Sequence, residues 1–164
     1  MRYKSLFVKR TIALALAFMF LSAASVTRVA AAPAPALTPA QMEAVIEDAF
    51  AGLVAFDAQR VLNNFADDAL LEDPVGTPPM QGKPAIAAYL ATLPTLFNHM
   101  KLYSLDIKVR GQEAAVTWRI RFKTKTGNTF FLDGIGFFAF NEQGKIQVER
   151  EFFNLEYFLE QLQQ

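Results

Sequence analysis

Strict alternation of apolar and polar side chains between residues 116 and 123 constrains the fold more than any other feature of the sequence. The first set is Val116, Trp118, Ile120 and Phe122, and the second is Thr117, Arg119, Arg121 and Lys123. A period of two predicts a β-strand with one apolar face and one basic face. Turn sequences at 125–128 (KTGN) and 141–144 (NEQG) separate this strand from two more, at 129–140 and 145–154. This half of the chain therefore predicts a meander of long antiparallel strands beginning near Met100.

Helical patterns precede the strands. Thr38 is predicted to be the N-cap of a first helix, with Pro39 at the first helical position and Gln41 closing a capping box. Apolar residues then recur at helical spacing up to residue 53. A second, short helix is predicted to begin after Asp57 and to include Phe65.

Short elements connect these helices to the meander. Residues 67–68 (DD) predict a turn, and residues 69–73 predict a short strand. A third helix is expected to start at residues 82–84 (GKP) and to end or kink at Pro94. The tail at 155–162 has helical character. Helices followed by antiparallel strands predict an α+β fold, with the helices on one face of the sheet.

The first 31 residues have the layout of a secretory signal peptide. A basic head precedes an apolar run at 11–23 and small residues, with cleavage expected near residues 29–31. An uncleaved anchor is the alternative, but the run is shorter than the ~20 apolar residues that span a membrane. We therefore predict a signal peptide at 1–31, a linker at 32–37 and one domain at 38–164. The protein is expected to be exported, periplasmic or secreted, with no membrane attachment after cleavage.

Charge and cysteine content exclude several classes of function. The chain contains no cysteine, so disulfides, thiolate catalysis and thiolate metal sites are excluded. Loss of residues 1–31 removes five of the 16 basic residues and none of the 16 acidic ones, which leaves a net charge of about −5. That balance argues against binding to nucleic acid, which requires a basic face.

Two segments carry a family resemblance: residues 65–90 (FADDALLEDPVGTPPMQGKPAIAAYL) and residues 132–153 (LDGIGFFAFNEQGKIQVEREFF). With the ADDA, EDP, GxPP and G-x-x-x-I elements in this order, the chain resembles the nuclear-transport-factor-2-like superfamily, in its ketosteroid isomerase and SnoaL-like branch. The likeness extends over nearly all of residues 38–158. It implies a cone-shaped, curved antiparallel sheet wrapped by three N-terminal helices. It also implies an apolar pocket at the open end and a homodimer formed through the outer sheet face.

Asp73 is the first candidate catalytic residue. The resemblance implies that it is the general base, because the aspartate of the EDP element moves a proton between carbon atoms in the isomerase. A period of two independently places Asp73 on the strand face of Leu71 and sends Glu72 to the other face, while Pro74 disfavours a helical backbone at Asp73. An apolar setting would raise the carboxyl pKa toward useful basicity. The alternative is a turn aspartate bonded to nearby backbone amides.

The oxyanion hole of the isomerase, a tyrosine and a protonated aspartic acid, has no counterpart at the matching positions. The family's tyrosines fall on Ala49, Phe65 and Leu90, and its aspartic acid falls on Gly136. Losing one such donor typically costs ~10²-fold in rate. Steroid isomerisation by the known route is therefore not expected.

Glu151 is the second candidate catalytic residue. The family's pocket face on the last strand falls on Glu149, Glu151 and Phe153, and Gly134 and Gly136 leave a bare patch on the adjacent strand. If Glu151 lies over these glycines, its carboxyl is near the position of the family's aspartic acid and can form an acid and base pair with Asp73. In the alternative, both glutamates face solvent or a partner and pair with arginines at 119, 121 or 150. A register error of one residue would produce that arrangement.

The inferred pocket is aromatic, and its candidate ligand-binding residues are Phe65, Tyr89, Trp118, Phe122, Gly136, Phe138 and Phe153. Each aromatic residue could instead be plain core. His99 is the sole histidine, so we expect no metal and no cofactor. Two functions remain open for a small apolar or polycyclic ligand: proton transfer by an isomerase or lyase with Asp73 as base, or a noncatalytic ligand-binding or dimerisation module.

Overall fold

The computed structural model describes residues 37–164. The predicted signal peptide at 1–31 and the predicted linker, apart from Leu37, lie outside the described residues. The described helices are α1 (Pro39–Val54), α2 (Ala58–Asn64), α3 (Gly82–Leu90), α4 (Leu93–Leu96) and α5 (Leu155–Gln163). The strands are β1 (Phe65–Glu72), β2 (Met80–Gln81), β3 (Phe97–Arg110), β4 (Glu113–Thr124), β5 (Thr129–Phe140) and β6 (Ile146–Phe152).

The six strands form one curved, unclosed sheet in the order β2-β1-β6-β5-β4-β3. Neighbouring strands are antiparallel except β1 and β6, which are parallel. The predicted α+β class is confirmed, as is the meander from β3 to β6. The parallel pair places β6 between β1 and β5, so residues from the last strand lie beside the end of the first.

The first two helices begin at the N-cap residues that the sequence predicted. The Thr38 side chain and the Gln41 backbone and side chain form the predicted capping box of α1. Asp57 caps α2 by accepting a hydrogen bond from the backbone N–H of Arg60 at 3.0 Å. Gly127 and Gly144 have positive φ angles in the two predicted hairpin turns, where a side chain would be strained.

Three boundaries differ from the predictions. Phe65 begins β1 rather than belonging to α2, and the Asp67-Asp68 pair lies within β1 rather than in a turn. The register of β1 against β6 shifts between Phe65 and Leu70, so the two exposed aspartates lie in a bulged part of the strand instead of a turn. The third helix ends at Leu90, and Pro94 lies in the first turn of a separate short helix, α4, that begins at Leu93.

The core lies between the inner face of the sheet and the helices. On β4, the predicted apolar face is buried and the predicted basic face points outward. The inner face of the sheet thus carries Trp118 and Phe122, and α1 covers it with Met42, Ile46 and Phe50. Within residues 37–164, no helix is long and apolar enough to cross a membrane.

Candidate active site

A mostly apolar hollow opens between the inner sheet face and the helices. Its atom-free volume is about 780 Å³ including the open mouth, and the centre of a water-sized sphere can reach about 80 Å³ of it. Four polar side chains, Asp73, Tyr89, Glu149 and Glu151, interrupt its apolar lining. A few placed polar groups in an apolar hollow are typical of small-molecule sites.

Most of the candidate ligand-binding residues meet in this hollow. The six that line it are Phe65, Tyr89, Trp118, Phe122, Phe138 and Phe153. Gly136 does not line it, because the Glu151 carboxyl and the Phe138 ring cover its backbone. Phe158 of α5 lines the hollow as well, packed against Phe153 at 5.7 Å between ring centroids. Its helical tail gave no sequence signal for this role.

Asp73 lies directly after β1 at the hollow and keeps part of its surface exposed. The Tyr89 hydroxyl donates a hydrogen bond to Asp73 Oδ2 at 2.6 Å. Burial raises the pKa of Asp73 to about 6, and the Tyr89 hydrogen bond acts against this rise. Behind Asp73, the Val75 N–H donates to the backbone carbonyl of Glu151 at 2.7 Å, which ties the EDP loop to β6.

Glu72 points away from Asp73, as the period of two predicted. Its Oε2 accepts a hydrogen bond from Arg150 Nε at 2.7 Å. That hydrogen bond, with a further one from the backbone N–H of Gly76, lowers the pKa of Glu72. The two carboxyls of the EDP element therefore have opposite environments, one paired with an arginine and the other enclosed by the hollow.

Glu151 lies on the inner face of β6 and is only 4% exposed. Trp118 Nε1 donates a hydrogen bond to Glu151 Oε2 at 2.6 Å, whereas Oε1 has no hydrogen-bond partner within the described part of the chain. Burial raises the pKa of Glu151 to about 8, and the Asp73 charge adds to the rise. The Trp118 hydrogen bond and the neighbouring Glu149 carboxyl act against it. The solvent-facing alternative is therefore wrong for Glu151.

Glu149 is the third carboxyl of the hollow. Burial raises its pKa well above the ordinary value, and the charges of Glu151 and Asp73 raise it further. No lysine, arginine or histidine contributes to the lining described. At neutral pH, Asp73 is thus mainly ionised and Glu151 is mainly protonated.

Two glycines of β5 leave the space that the Trp118–Glu151 pair occupies. A Cβ at Gly136 would lie 2.6 Å from Glu151 Oε1 and 2.7 Å from the Phe138 ring. A Cβ at Gly134 would lie 2.1 Å from Cζ2 of Trp118. Gly136 is opposite Glu151 and Gly134 is opposite Trp118 in the sheet register, so each glycine accommodates the residue across from it.

Replacement of Gly134 by alanine is expected to lower the free energy of unfolding by about 1–3 kcal/mol, since the new methyl group would overlap the indole ring. Urea unfolding measures this change. The exposed Ala115→Val change on β4 is the control and should stay within about 0.5 kcal/mol of the parent. A Gly134→Ala protein as stable as the parent, with unchanged Trp118 fluorescence, would contradict this packing.

No group of three histidine, cysteine, aspartate or glutamate side chains within residues 37–164 is arranged to hold a metal ion. His99 is exposed on β3, away from the lining of the hollow. The ionisable groups that line the hollow are the carboxyls of Asp73, Glu149 and Glu151 and the phenol of Tyr89.

A family model described as the SnoaL-like domain matches residues 46–149, which is more than half of the chain. The chain belongs to the SnoaL-like family. The match includes Asp73, Tyr89 and Glu149, and it ends two residues before Glu151. The resemblance to the nuclear-transport-factor-2-like superfamily is therefore confirmed.

Solved structures share this SnoaL-like fold at low identity. A candidate polyketide cyclase from Xanthomonas campestris pv. campestris has a TM-score of 0.68 and 18% identity, over 75% of this chain and 97% of its own. TerC, co-crystallised with polyporic acid, has a TM-score of 0.66 and 20% identity, over 76% and 99%. SalBIII, an epoxide hydrolase/cyclase-like enzyme, has a TM-score of 0.62 and 19% identity, over 71% and 93%.

Two contacts of the site had no signature in the sequence of this SnoaL-like domain. Helical spacing placed Tyr89 inward, but its bond to Asp73 depends on how α3 packs against β1. The sequence predicted Trp118 only as an aromatic residue of the pocket lining. Its hydrogen bond to Glu151 joins residues 33 positions apart. Both contacts follow from tertiary packing rather than from local spacing.

Proposed function

We propose that this SnoaL-like domain binds a small apolar or polycyclic ligand and transfers a proton between its carbon atoms, as an isomerase or lyase. Asp73 is the general base, and Glu151 is its acid partner. The observation that carries the proposal is that Asp73, bonded to the Tyr89 hydroxyl, and the buried Glu151, bonded to Trp118, line one apolar hollow. Burial there raises the pKa of Asp73 to about 6 and that of Glu151 to about 8. Groups with these pKa values suit base and acid roles near neutral pH.

The proposed step begins when Asp73 removes a proton from a carbon next to an electron-withdrawing group of the ligand. The electron pair left on carbon is delocalised onto that group, and a protonated carboxyl nearby stabilises the developing charge. Asp73 then returns the proton to another carbon, or the electron pair expels a leaving group. The first outcome is isomerisation, and it regenerates the Asp73 carboxylate directly. The second is elimination by a lyase, and Asp73 regains its ionised form by giving its proton to the departing group or to water.

The relatives support a cyclic ligand. One is described as a candidate polyketide cyclase, one was crystallised with polyporic acid, and SalBIII is linked to pyran ring formation. Because these likenesses lie at 18–20% identity, they support the shape of the site rather than a particular reaction.

A noncatalytic ligand-binding or dimerisation module is the alternative, and one observation favours it. Ala49, Phe65 and Leu90 carry no hydroxyl where the isomerase has tyrosines, and the Tyr89 hydroxyl is bonded to Asp73 itself. Fewer groups are thus free to stabilise an anionic intermediate. A protein that only binds its ligand would keep the hollow but would not use Asp73 as a base.

Deuterium wash-in distinguishes the two functions without knowledge of the natural ligand. The bicyclic ketone 2-tetralone has acidic protons between its carbonyl group and its aromatic ring. A proton-transfer enzyme should replace them with deuterium in D₂O faster than buffer alone, in a saturable manner, which NMR detects. A change of Trp118 fluorescence on binding without accelerated exchange would favour the noncatalytic module, since Trp118 is the only tryptophan and lines the hollow.

A homodimer through the outer sheet face is also proposed. Exposed apolar residues cluster on the outer face of β3, β5 and β6 and form an outer apolar patch: Tyr103, Phe131, Ile135 and Phe152. The guanidinium of Arg119 lies over the Phe131 ring, and Asp133 offers an opposite charge on the same face. An apolar centre with both charge signs at its rim suits a two-fold contact between identical surfaces.

Replacement of Ile135, which is 54% exposed, by aspartate is expected to convert this dimer into monomers. In a two-fold contact, each protomer would bring its own carboxylate into the apolar interface, so two charges would lose their hydration. Light scattering measures the mass. Leu159→Asp, an equally drastic change at an exposed residue of α5 away from the patch, is the control. A parent protein that is monomeric at high concentration would refute the proposal.

Export of the protein stays a prediction from residues 1–31.

A further inference from the structure

We propose that Tyr89 is a positioning residue for the proton transfer. Its hydroxyl fixes Oδ2 of Asp73 and thereby makes Oδ1 the oxygen that takes the proton from the ligand carbon. The isomerase's tyrosines fall on Ala49, Phe65 and Leu90, so the resemblance assigns no such role to Tyr89. This inference rests on the proposed function, which makes Asp73 the base, and adds the residue that orients it.

Helix α3 carries Tyr89 to the end of β1. Ile86, three positions earlier, is fully buried, and this helical spacing directs Tyr89 toward the same side. On β1, Leu71 is buried, and Asp73 lies two residues later on the same face. Because α3 packs against β1, the two side chains meet at the hollow, and the Tyr89 hydroxyl lies 2.6 Å from Asp73 Oδ2.

The two oxygen atoms of the Asp73 carboxyl have different surroundings. The bond from Tyr89 is the one side-chain hydrogen bond that this carboxyl accepts within residues 37–164, and it occupies Oδ2. Oδ1 is not among the buried oxygen atoms that lack a partner in the same range, so it keeps an accessible surface. Asp73 lines the hollow, and Oδ1 is therefore the oxygen that is open to a ligand there.

The Tyr89 hydrogen bond is compatible with every stage of the proposed step. Burial raises the pKa of Tyr89 well above its usual value, so the phenol keeps the proton that it donates. When the C–H bond of the ligand breaks, its proton forms an O–H bond at Oδ1 and the electron pair stays on the ligand. Oδ2 then becomes the carbonyl oxygen of a neutral acid and still accepts from Tyr89. The base therefore needs no reorientation during the step.

The groups around Asp73 leave its orientation to Tyr89. Among the residues that line the hollow, the ionisable neighbours of Asp73 are Tyr89 of α3 and the carboxyls of Glu149 and Glu151 on β6. No basic side chain belongs to the lining described, and Glu72 on β1 points to the other face. Burial raises the pKa of Asp73 to about 6, and the bond from Tyr89 acts against this rise. Tyr89 thus also favours the ionised form of the base.

Replacement of Tyr89 by phenylalanine removes the hydroxyl and keeps the ring. NMR follows deuterium wash-in into 2-tetralone between pH 5 and pH 9. The maximum rate is expected to fall by about 10- to 10²-fold, the cost of a misplaced reacting group, while KM stays within about twofold of the parent. The low-pH limb should move upward from about 6, since the hydrogen bond that lowers the Asp73 pKa is lost. Tyr157→Phe, the same change at an exposed residue of α5, is the matched control and should keep the parent profile.

A double variant separates positioning from a general structural role. The Asp73→Asn protein has already lost the base that Tyr89 orients. Adding Tyr89→Phe to it should change the residual exchange rate by less than about twofold, whereas independent effects would multiply. Carbon-13 NMR of the labelled Asp73 carboxyl gives its pKa in the ligand-free parent and Tyr89→Phe proteins, and urea unfolding shows that both are folded.

The possible results separate this inference from the proposed function. A parent protein that does not accelerate exchange would overturn the proposed function and the inference with it. If the parent accelerates exchange, a Tyr89→Phe protein with the parent rate and an unchanged Asp73 pKa would overturn the inference alone. A higher KM with an unchanged maximum rate would do the same, because the hydroxyl would then bind the ligand instead of the base. Multiplied losses in the double variant would also overturn it.

Discussion

Replacement of Asp73 by asparagine is expected to slow deuterium wash-in into 2-tetralone by about 10²- to 10⁴-fold, the usual contribution of a positioned general base. Asparagine has nearly the same shape and can still contact the Tyr89 hydroxyl, but its amide cannot take a proton from carbon. Binding should persist, because the apolar lining is unchanged. NMR of the exchange reaction gives the rate, and Trp118 fluorescence gives the affinity.

The pH dependence of the parent rate strengthens this test. Exchange should rise with pH through about 6 as Asp73 ionises, and fall above about 8 as Glu151 loses its proton. Asp106→Asn, at an exposed position on β3 that pairs with Lys108, is the control and should keep the parent rate. An Asp73→Asn protein that exchanges as fast as the parent would exclude Asp73 as the base.

Stability is expected to fall by roughly 3–5 kcal/mol between about pH 4.5 and pH 8 because of Glu151 alone. Its pKa is 4.5 in an exposed setting and about 8 in the fold, so the folded state binds more protons than the unfolded state across this range. The folded pKa is raised, so the contribution of Glu151 is fully present below pH 4.5 and is lost as the pH rises toward 8. Asp73 adds a smaller loss between about pH 4 and pH 6. Urea unfolding at several pH values measures the slope.

Glu151→Gln should remove the part of this slope that comes from Glu151, since an amide does not ionise, while Glu149, whose pKa is also raised by burial, keeps its own part. The variant should therefore be more stable than the parent at pH 8.5 and close to it at pH 5. Glu142→Gln, which changes an exposed glutamate in the 141–144 turn, should keep the parent slope. A parent protein that becomes more stable from pH 5 to pH 8 would show that Glu151 is not buried as described.

Local patterns were sufficient for the architecture. The period of two on β4, the Thr38 capping box and the glycine turns each depend on residues a few positions apart, so their physics is present in the sequence. The EDP element also gave the direction of Asp73, because alternate residues of a strand must point to opposite faces. The boundaries at Phe65 and Pro94 were missed because pairing within the sheet and a second helical turn outweighed local preference.

For the candidate site, the sequence determined some features and the tertiary structure determined others. The sequence determined that acidic residues, glycines and aromatic residues fall on the pocket faces of β5, β6 and the EDP loop. Only the tertiary structure decided between a buried and a solvent-facing Glu151, because a shift of one residue in strand register exchanges the two faces. The bonds from Tyr89 to Asp73 and from Trp118 to Glu151 likewise join residues 16 and 33 positions apart. Such contacts depend on packing distances between elements, which no local spacing specifies.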